Sequence, residues 1–444
     1  MRYQALKSPL SVHVEITDNC NEACSHCYRS CQIIDKRNVS VLAEMDAERI
    51  VERLSDADVF LITITGGEPL LYPKSVLACA RAAMRLGIQV QLNSNLQALS
   101  DEMLSFIAGN GINVLTSIAA ETAECHDKIV GLAGSYKRLV RNIGKLVSSG
   151  VNVSANMVVR SDNYSRVYAT GIFVNSLGIK KFAATKAVPT LGIPYEGYAP
   201  DRDQIIGSLD ALLRVQEDTG MAIDSLEPYP LCFLGDLNRY GLFARKKCSA
   251  GVYSCSIGPS GNVSACPHSD RAYGNLLEEP LTDIWMRMHE WRDAKFINEG
   301  CVECPYLYEC RGGCREDAYI LSGDRSGRDP LMTNFSAIIP PEEPFSHVVE
   351  FGNDDMFWFH PDCKWREEPF GGLLILHEGM ALLGEEGRQI FQELNGKSFS
   401  ANEIARVFGI GIDEVEQFLS FLLLKGMLSS RKEIENVETQ TVDK

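Results

Sequence analysis

The feature that most constrains the fold is an alternation of short β-rich apolar runs with longer segments of helical period, from residue 10 to about 220. This alternation is typical of strand-helix units built around a parallel sheet. We count six units, too few for a closed eight-stranded barrel. Right-handed crossovers then predict an open, partial (β/α)6 barrel with its site at the carboxyl ends of the strands. The predicted strands cover residues 11–16, 59–65, 88–93, 112–118, 151–159 and 180–186.

Fifteen cysteines are spread over the 444 residues, and the first residues lack the apolar run and cleavage site of a secretory signal. We therefore expect a cytoplasmic protein. In that reducing compartment, cysteines at defined spacings indicate metal or redox chemistry rather than disulfides. No apolar run approaches the roughly 20 residues of a membrane-spanning helix. The formal net charge of -16 also disfavours nucleic acid and anionic membranes as partners.

The sequence pattern changes beyond the predicted barrel. Up to about residue 335 the chain is rich in cysteine, glycine and short strands, and we expect metal sites to hold this part together. A Pro-rich stretch at 339–345 then predicts a linker. A third unit places β-like runs before three helices, which suggests a small winged-helix (α+β) fold. The expected domains are residues 1–231, 232–338 and 346–430, and the third unit has predicted strands at 356–359, 372–376 and 380–383 and helices at 385–394, 401–408 and 412–425.

Cys20, Cys24 and Cys27 form a C-x3-C-x2-C motif directly after the first predicted strand. Each iron of a [4Fe-4S] cluster takes one thiolate, so three thiolates on one loop leave one iron open to an outside ligand. The alternative is a structural zinc site that recruits a fourth cysteine such as Cys31.

Gly66, Gly67, Glu68 and Pro69 follow the second predicted strand. Glycines let a ligand approach the backbone closely, and a carboxylate can bind an ammonium group. Together with the cysteine motif one strand earlier, this GGEP sequence resembles the radical S-adenosylmethionine (SAM) superfamily over residues 10 to about 220. The resemblance implies that SAM chelates the open iron and yields a 5'-deoxyadenosyl radical, which abstracts hydrogen from a substrate.

The same resemblance implies roles for individual residues in binding SAM. Gly66, Gly67, Glu68 and Pro69 would line the methionine end, and the backbone of His26 would meet adenine. Polar contacts at strand ends would come from Asn93, Ser94, Asn95 and Ser117, for which simple strand-end capping is the alternative.

Two further sites carry part of this family pattern. Many relatives have an acidic residue two positions after Ser117, where this chain has Ala119. An acidic group common in that pocket is therefore missing. His126 and Asp127 match a surface motif of the family, for which a purely structural role is the simplest interpretation.

A second group of cysteines resembles the SPASM extension of peptide-modifying radical SAM enzymes, which holds two auxiliary [4Fe-4S] clusters. The spacings are C-x12-G-x4-C and C-x2-C-x5-C-x3-C, and a zinc ribbon is the alternative. By family connectivity the first auxiliary cluster would take Cys248, Cys255, Cys266 and Cys314, and the second would take Cys301, Cys304 and Cys310.

The fourth ligand of the second auxiliary cluster is missing from its usual place. Relatives often supply it from an Asp-Pro-x-Cys sequence, whereas this chain has Met332 at the matching position. Cys363 or Cys232 from elsewhere, an oxygen ligand, and an iron left open to the substrate are the alternatives. Free cysteine packs as a small apolar side chain, and the remaining thiols Cys31, Cys79 and Cys125 are interpreted as packing residues.

Residues 346–430, with the sequence WREEPFGGLLILHEG, resemble the small chaperone of pyrroloquinoline-quinone biosynthesis. In relatives this element binds a leader peptide, which adds a strand to the sheet edge and packs against the third helix, here 412–425. A DNA-binding winged helix is disfavoured by 20 acidic against 9 basic residues after Pro340. A structural cap on the enzyme is a further alternative.

The resemblances together predict a radical SAM maturase that modifies a ribosomally made precursor peptide, with a flavodoxin or ferredoxin as reductase. A thioether or other crosslink, an epimerised residue and an excised backbone fragment are all compatible products, and no catalytic acid or base is assigned. One alternative is a maturase of a folded protein, such as a sulfatase or a quinone-cofactor enzyme. A non-catalytic iron-sulfur regulator is another.

Overall fold

The computed structural model describes residues 4–31, 37–342, 349–376 and 379–430. The chain forms two compact units, Met1–Pro340 and Pro341–Lys444, each with its own hydrophobic core. Residues 343–345 of the predicted linker, and residues 346–348, 377 and 378 of the predicted third domain, lie outside the described residues.

Seven parallel strands joined by helices form the barrel part of the first unit. All six predicted strands are present, and the predicted partial barrel is confirmed. Helices bury one apolar face against the sheet, as Ile50 and Leu54 of α1 do at a four-residue spacing. The elements are β1 (Ser11–Glu15), α1 (Glu44–Asp56), β2 (Leu61–Thr65), α2 (Pro73–Arg85), β3 (Gln89–Asn93), α3 (Asp101–Gly109), β4 (Asn113–Ser117), α4 (Ala123–Val130), α5 (Ser135–Ser148), β5 (Val153–Val159), α6 (Val167–Ser176), β6 (Lys181–Lys186), α7 (Arg202–Thr219) and β7 (Ala222–Asp224).

The cysteine-rich part of the first unit continues the same sheet. Its strand β8 pairs with β1 in parallel, and β9 and β10 follow as antiparallel neighbours, which gives a ten-stranded sheet. Short strands were predicted here, but their pairing with the barrel sheet was not. The elements are α8 (Leu231–Leu234), α9 (Leu237–Ala244), β8 (Ser254–Ile257), β9 (Asn262–Ser264), β10 (Ala272–Asn275), α10 (Leu281–Arg287), α11 (His289–Arg292), α12 (Leu307–Cys310) and α13 (Arg315–Ser322).

The described part of the second unit combines two small antiparallel sheets with three helices. The predicted strands and helices are confirmed, while β12 and β15 were not predicted because neither is an apolar run. The elements are β11 (Phe357–Phe359), β12 (Lys364–Glu368), β13 (Gly371–Leu376), β14 (Gly379–Leu383), α14 (Glu385–Leu394), α15 (Ala401–Phe408), α16 (Ile412–Leu424) and β15 (Leu428–Ser430).

Candidate active site and cysteine clusters

The loop after β1 carries Cys20, Cys24 and Cys27, all partly exposed. Burial, followed by the nearby Glu68, Glu22 and Cys27 charges, raises the pKa of Cys20 to about 12. Burial and the same kind of crowding raise the pKa of Cys24. Three anionic ligands held this close together need a compensating cation, and the donor set therefore fits an iron-sulfur cluster.

Cys31 differs from the packing residue expected from the sequence. It is buried, and its side chain hydrogen-bonds with Cys27, which lowers the pKa of the Cys27 thiol to about 6. Within the described residues no three His, Cys, Asp or Glu side chains are arranged to share a single metal ion. The thiolates of a four-iron cluster each bind a different iron and lie farther apart than ligands around one zinc ion.

A buried chain of hydrogen bonds connects the residues after β4 to the cysteine loop. The Ala119 N–H donates to His126 Nδ1 at 3.1 Å, so that Nε2 carries the proton and faces Ser135 Oγ at 3.2 Å. Ser135 Oγ donates in turn to Glu22 Oε1 at 2.7 Å, and Glu22 lies between Cys20 and Cys24 in the sequence. His126 is 1% exposed, and burial lowers its pKa to about 4. His126 is therefore a neutral, buried residue that supports the cysteine loop through hydrogen bonds, and it does not lie on the surface as the motif suggested.

Gly66 and Gly67 bring the end of β2 against this loop. The Gly67 N–H donates to the Thr17 carbonyl at 2.6 Å, and a Cβ on Gly67 would lie 1.9 Å from the Asn19 carbonyl oxygen. Gly66 has a φ of +132°, a region that disfavours other residues. The close approach that the motif predicts is thus made by the cysteine loop's own backbone, and contact with SAM stays a prediction.

Glu68 joins the ends of β2 and β3. It is fully buried, and its carboxylate accepts hydrogen bonds from Ser94 Oγ at 2.8 Å, the Asn95 N–H at 2.7 Å and the Leu70 N–H at 2.9 Å. Burial is the main cause that raises its pKa to about 7. Asn95 Nδ2 also donates to Asn21 Oδ1 at 2.8 Å. The predicted SAM-binding residues of β2 and β3 therefore form one polar network with the cysteine loop.

The other predicted SAM-binding residues lie at the same carboxyl end of the sheet. Asn93 ends β3 and is partly exposed, and Ser117 ends β4 and is exposed. Pro69 is buried and begins a 3₁₀ turn after Glu68. Parallel strands bring such residues to one rim of the barrel, as the sequence predicts.

Arg160, directly after β5, was missed by the sequence analysis. Its guanidinium is nearly buried, hydrogen-bonds with Ser25 Oγ and lies 3.5 Å from His26 Nδ1. Burial, followed by the Arg160 charge, lowers the pKa of His26 to about 3, so His26 is neutral. The sequence did place Arg160 at the carboxyl end of a predicted strand, but a single arginine forms no recognisable motif.

A buried ion pair joins β6 to the cysteine-rich part. Lys186 ends β6, Asp317 lies on α13, and Nζ and Oδ2 are 2.5 Å apart with each side chain 1% exposed. Asp329 accepts a hydrogen bond from the Cys314 N–H at 2.7 Å beside the pair. Burial lowers the pKa of Lys186, but the Asp317 and Asp329 charges outweigh it and raise the pKa above its usual range. No motif pointed to this pair.

The first cysteine loop also touches the segment around Cys266. The Tyr28 and His268 rings lie 4.4 Å apart, and Arg29 Nη1 donates to the Pro267 carbonyl at 3.2 Å. Arg29 is held by Glu15, 2.8 Å away. The loop that carries Cys27 and the loop that carries Cys266 are therefore packed against each other.

Three of the four thiols predicted for the first auxiliary cluster lie together. The Cys248 charge raises the pKa of both Cys266 and Cys314, after burial as the largest cause. A pocket beside them is lined by Cys248 and by Gly313, the neighbour of Cys314. Cys255 lies in β8 opposite Val12 of β1, fully buried in the hydrophobic core. Its part in the cluster stays a prediction.

The three thiols predicted for the second auxiliary cluster also lie close together. Cys301 and Cys304 flank a turn, and Cys310 ends α12. Burial, followed by the Cys310 charge, raises the pKa of Cys301 to about 11. All three are partly exposed. Cys363, one proposed fourth ligand, instead lies in the second unit with its Sγ 3.7 Å from the Met427 carbonyl oxygen.

Two parts of the chain match models of known protein families. The radical SAM superfamily model matches residues 14–170, and the SPASM iron-sulfur cluster-binding domain model matches 248–306. The mycofactocin maturase of Mycobacterium tuberculosis is 27% identical over 74% of this chain and 83% of its own length. The PqqA peptide cyclase of Gluconobacter oxydans is 24% identical over 73% and 90%, and the AdoMet-dependent heme synthase of Methanosarcina barkeri is 24% identical over 73% and 96%.

A solved structure shares the fold of the first unit. Streptococcus suis SuiB bound to the precursor peptide SuiA superposes with a TM-score of 0.62 at 17% identity, over 74% of this chain and 76% of that one. None of the helices in the described ranges combines the length and apolarity that crossing a bilayer requires. The domains of this chain are those of a radical SAM enzyme with a SPASM iron-sulfur domain.

Proposed function

We propose that this chain is a maturase that modifies a ribosomally made precursor peptide by radical chemistry. The observation that carries the proposal is the pairing of a radical SAM and SPASM unit with a second compact unit suited to binding an extended peptide. Two relatives are named as a maturase and a peptide cyclase. Similarity to these relatives alone does not identify the substrate, because a heme synthase is similar over an equal share of the chain.

Radical generation is assigned to the loop after β1. When bound there, a [4Fe-4S] cluster with SAM supplies a 5'-deoxyadenosyl radical. The chain's own residues hold the loop in place. Ser135 Oγ donates to Glu22 of the loop, and the Glu68 N–H donates to the Asn19 carbonyl. Arg160, directly after β5, contacts Ser25 and His26. A loop fixed by buried groups keeps the reacting atoms in register, which contributes to the rate of hydrogen abstraction.

Two auxiliary [4Fe-4S] clusters are proposed, one at each of the other cysteine sets. A one-electron donor such as flavodoxin or ferredoxin would reduce the enzyme. The net charge of -16 and the acidic second unit make nucleic acid and membrane surfaces unsuitable partners. The cytoplasm is the proposed location, because its reducing thiol pool keeps such cysteines available for metal.

The second unit is proposed to bind the leader part of the precursor. Among the described residues β14 hydrogen-bonds to β13 alone, which leaves an edge for an added strand. The start of β14 approaches the end of α16, since a Cβ on Gly379 would lie 3.3 Å from the Lys425 carbonyl oxygen. On that helix Phe421 and Leu424 are 39% and 46% exposed. This arrangement offers backbone pairing beside exposed apolar side chains.

Mass spectrometry after co-expression tests the reaction. The intact chain is produced with the short open reading frame encoded nearest its gene, and the peptide is compared with one from cells lacking the enzyme. We expect a mass change: loss of hydrogens for a crosslink, loss of a residue-sized fragment for excision, or uptake of deuterium from heavy water without a mass change in light water for epimerisation. An unaltered peptide under reducing, anaerobic conditions would count against the proposal.

Fluorescence anisotropy tests the leader site separately. A labelled synthetic peptide of the same reading frame is titrated with the intact chain and with Phe421→Ser. We expect about tenfold weaker binding for the variant, equivalent to about 1.4 kcal/mol of lost apolar contact. Met286→Ser, at a 61% exposed methionine of α10, is the matched control.

The binding result also separates the alternatives. Equal affinity of all three proteins would contradict leader recognition on α16. Absence of peptide binding, combined with modification of a co-expressed folded protein such as a sulfatase, would favour maturation of a folded protein.

A further inference from the structure

The second auxiliary set has three thiols from its motif, and the position where relatives supply the fourth carries Met332. A [4Fe-4S] cluster takes a ligand on each iron, and the protein ligands are cysteine thiolates. The inference below rests on the proposed second auxiliary cluster and identifies its last ligand.

Cys232 lies against this set, although it precedes the SPASM motif by many residues. It is on the short helix α8 and is 8% exposed. The N–H of its neighbour Leu231 donates to Cys310 Sγ at 3.4 Å. Cys232 is therefore attached through the backbone to one of the three thiols of the set.

Hydrogen bonds from Thr333 also hold Cys232. The Thr333 N–H donates to Cys232 Sγ at 3.3 Å, and Thr333 Oγ1 donates to the Cys232 carbonyl at 2.5 Å. Met332, adjacent in sequence, has its sulfur 3.3 Å from Cys301 Sγ. The segment around Met332, which holds the fourth ligand in relatives, thus also contacts the set in this chain. Cys232 lies beside that segment.

Electrostatic coupling supports the same grouping. After burial as the largest cause, the Cys232 charge contributes to raising the pKa of both Cys301 and Cys310. Cys232 is therefore close to two of the three thiols, on the side where the methionine replaces a cysteine.

Thioether and thiolate differ as ligands for iron. The methionine sulfur is neutral and a weak donor, whereas a cysteine thiolate is anionic and is the ordinary ligand of iron-sulfur clusters. Cys363 belongs to the other compact unit and contacts Met427 there. Of the three sulfurs considered, Cys232 has both the chemistry and the contacts.

We propose that Cys232 supplies the fourth thiolate of the second auxiliary cluster, in place of the cysteine that relatives carry at the Met332 position. The cluster is then fully ligated by protein. It has no iron open to a substrate group, and its role is electron transfer rather than substrate coordination.

Iron analysis of the anaerobically reconstituted intact chain tests this proposal. Three [4Fe-4S] clusters give about twelve irons per chain. We expect Cys232→Ala to lose about four irons, or to show the electron paramagnetic resonance signal of a three-iron cluster. Met332→Ala and the control Cys79→Ala, at a buried cysteine of α2, are expected to keep the wild-type iron content and spectrum.

A rescue variant guards against simple misfolding. Cys232→Ala combined with Met332→Cys restores the ligand position of relatives and is expected to regain the lost iron. Wild-type iron and spectra in Cys232→Ala, or loss of the cluster in Met332→Ala, would overturn the proposal. Formation of 5'-deoxyadenosine with dithionite reports on the loop after β1. Its absence in wild-type protein with full iron would count against the proposed function and not against Cys232.

Discussion

The cysteine loop of the barrel and the segment of the second auxiliary set hold their thiols in different ways. The barrel loop follows β1, whose Val12 and Val14 are at most 1% exposed, and buried Glu22 and Glu68 brace it. No residue between Cys301 and Cys310 is buried. Val302 and Tyr308 there are 64% and 60% exposed. A hydrophobic core thus positions the first site, whereas we expect the second to depend on its proposed cluster for local structure.

The largest expected effect removes chemistry without removing the fold. The triple variant Cys20→Ala, Cys24→Ala, Cys27→Ala should form no detectable 5'-deoxyadenosine, because the cluster that carries the open iron has lost its three protein ligands. Its free energy of unfolding should stay within about 2 kcal/mol of wild type, since the sheet and its braces remain. Chromatography of SAM products and chemical denaturation measure the two quantities. Turnover by the triple variant would refute the assignment of the radical site.

Removal of iron by a chelator tests whether the segment of the second auxiliary set needs metal to fold. In metal-free protein, amide hydrogens at residues 301–310 should lose protection almost completely, while those of β1 to β6 stay protected. Hydrogen exchange read by mass spectrometry measures both regions in one experiment. Equal protection of residues 301–310 with and without iron would show that the segment folds without metal.

The buried pair between β6 and α13 gives the next largest effect. Lys186→Met leaves Asp317 charged and unpaired in the interior, which should lower the free energy of unfolding by about 3–5 kcal/mol. Lys186→Met combined with Asp317→Leu should recover most of this loss, because both charges are gone. Urea denaturation of the three proteins measures the difference. A double variant as unstable as the single one would argue against the charge explanation.

Glu68 predicts a smaller, pH-dependent effect. Its pKa rises from 4.5 to about 7 on folding, so the folded chain binds the proton more tightly between these values. The contribution of Glu68 to the free energy of unfolding is therefore highest at low pH. It falls by up to about 1.4 kcal/mol per pH unit as pH rises towards 7. Glu15, also raised to about 7, adds a slope of the same sign.

Glu68→Gln removes one of these two contributions. The slope of unfolding free energy against pH between 5 and 7 should become shallower by up to about 1.4 kcal/mol per unit. Glu44→Gln, at an exposed residue of α1, should leave the slope unchanged. An identical slope in Glu68→Gln would mean that the carboxyl is ionised in the folded chain over this range.

Local sequence patterns predicted most of the fold and much of the site. Periodicity located the six barrel strands, and the motif spacings brought Cys20, Cys24 and Cys27 onto one loop beside Glu68. What they missed depends on long-range contacts. The pairing of β8 with β1 joins residues more than 200 positions apart, and Arg160 and Lys186 act through partners 131 or more residues away. Such partners are known only when the chain has folded.

The pairing of β8 with β1 has a further consequence for electron flow. One strand of this pair leads into the loop proposed to generate the radical, and the other lies within the segment that carries Cys248 and Cys266. Backbone hydrogen bonds between the two strands would keep the distance between the proposed clusters constant. The rate of electron transfer between them would then depend on redox potential and on the arrival of substrate, and no movement of one domain towards another would be required.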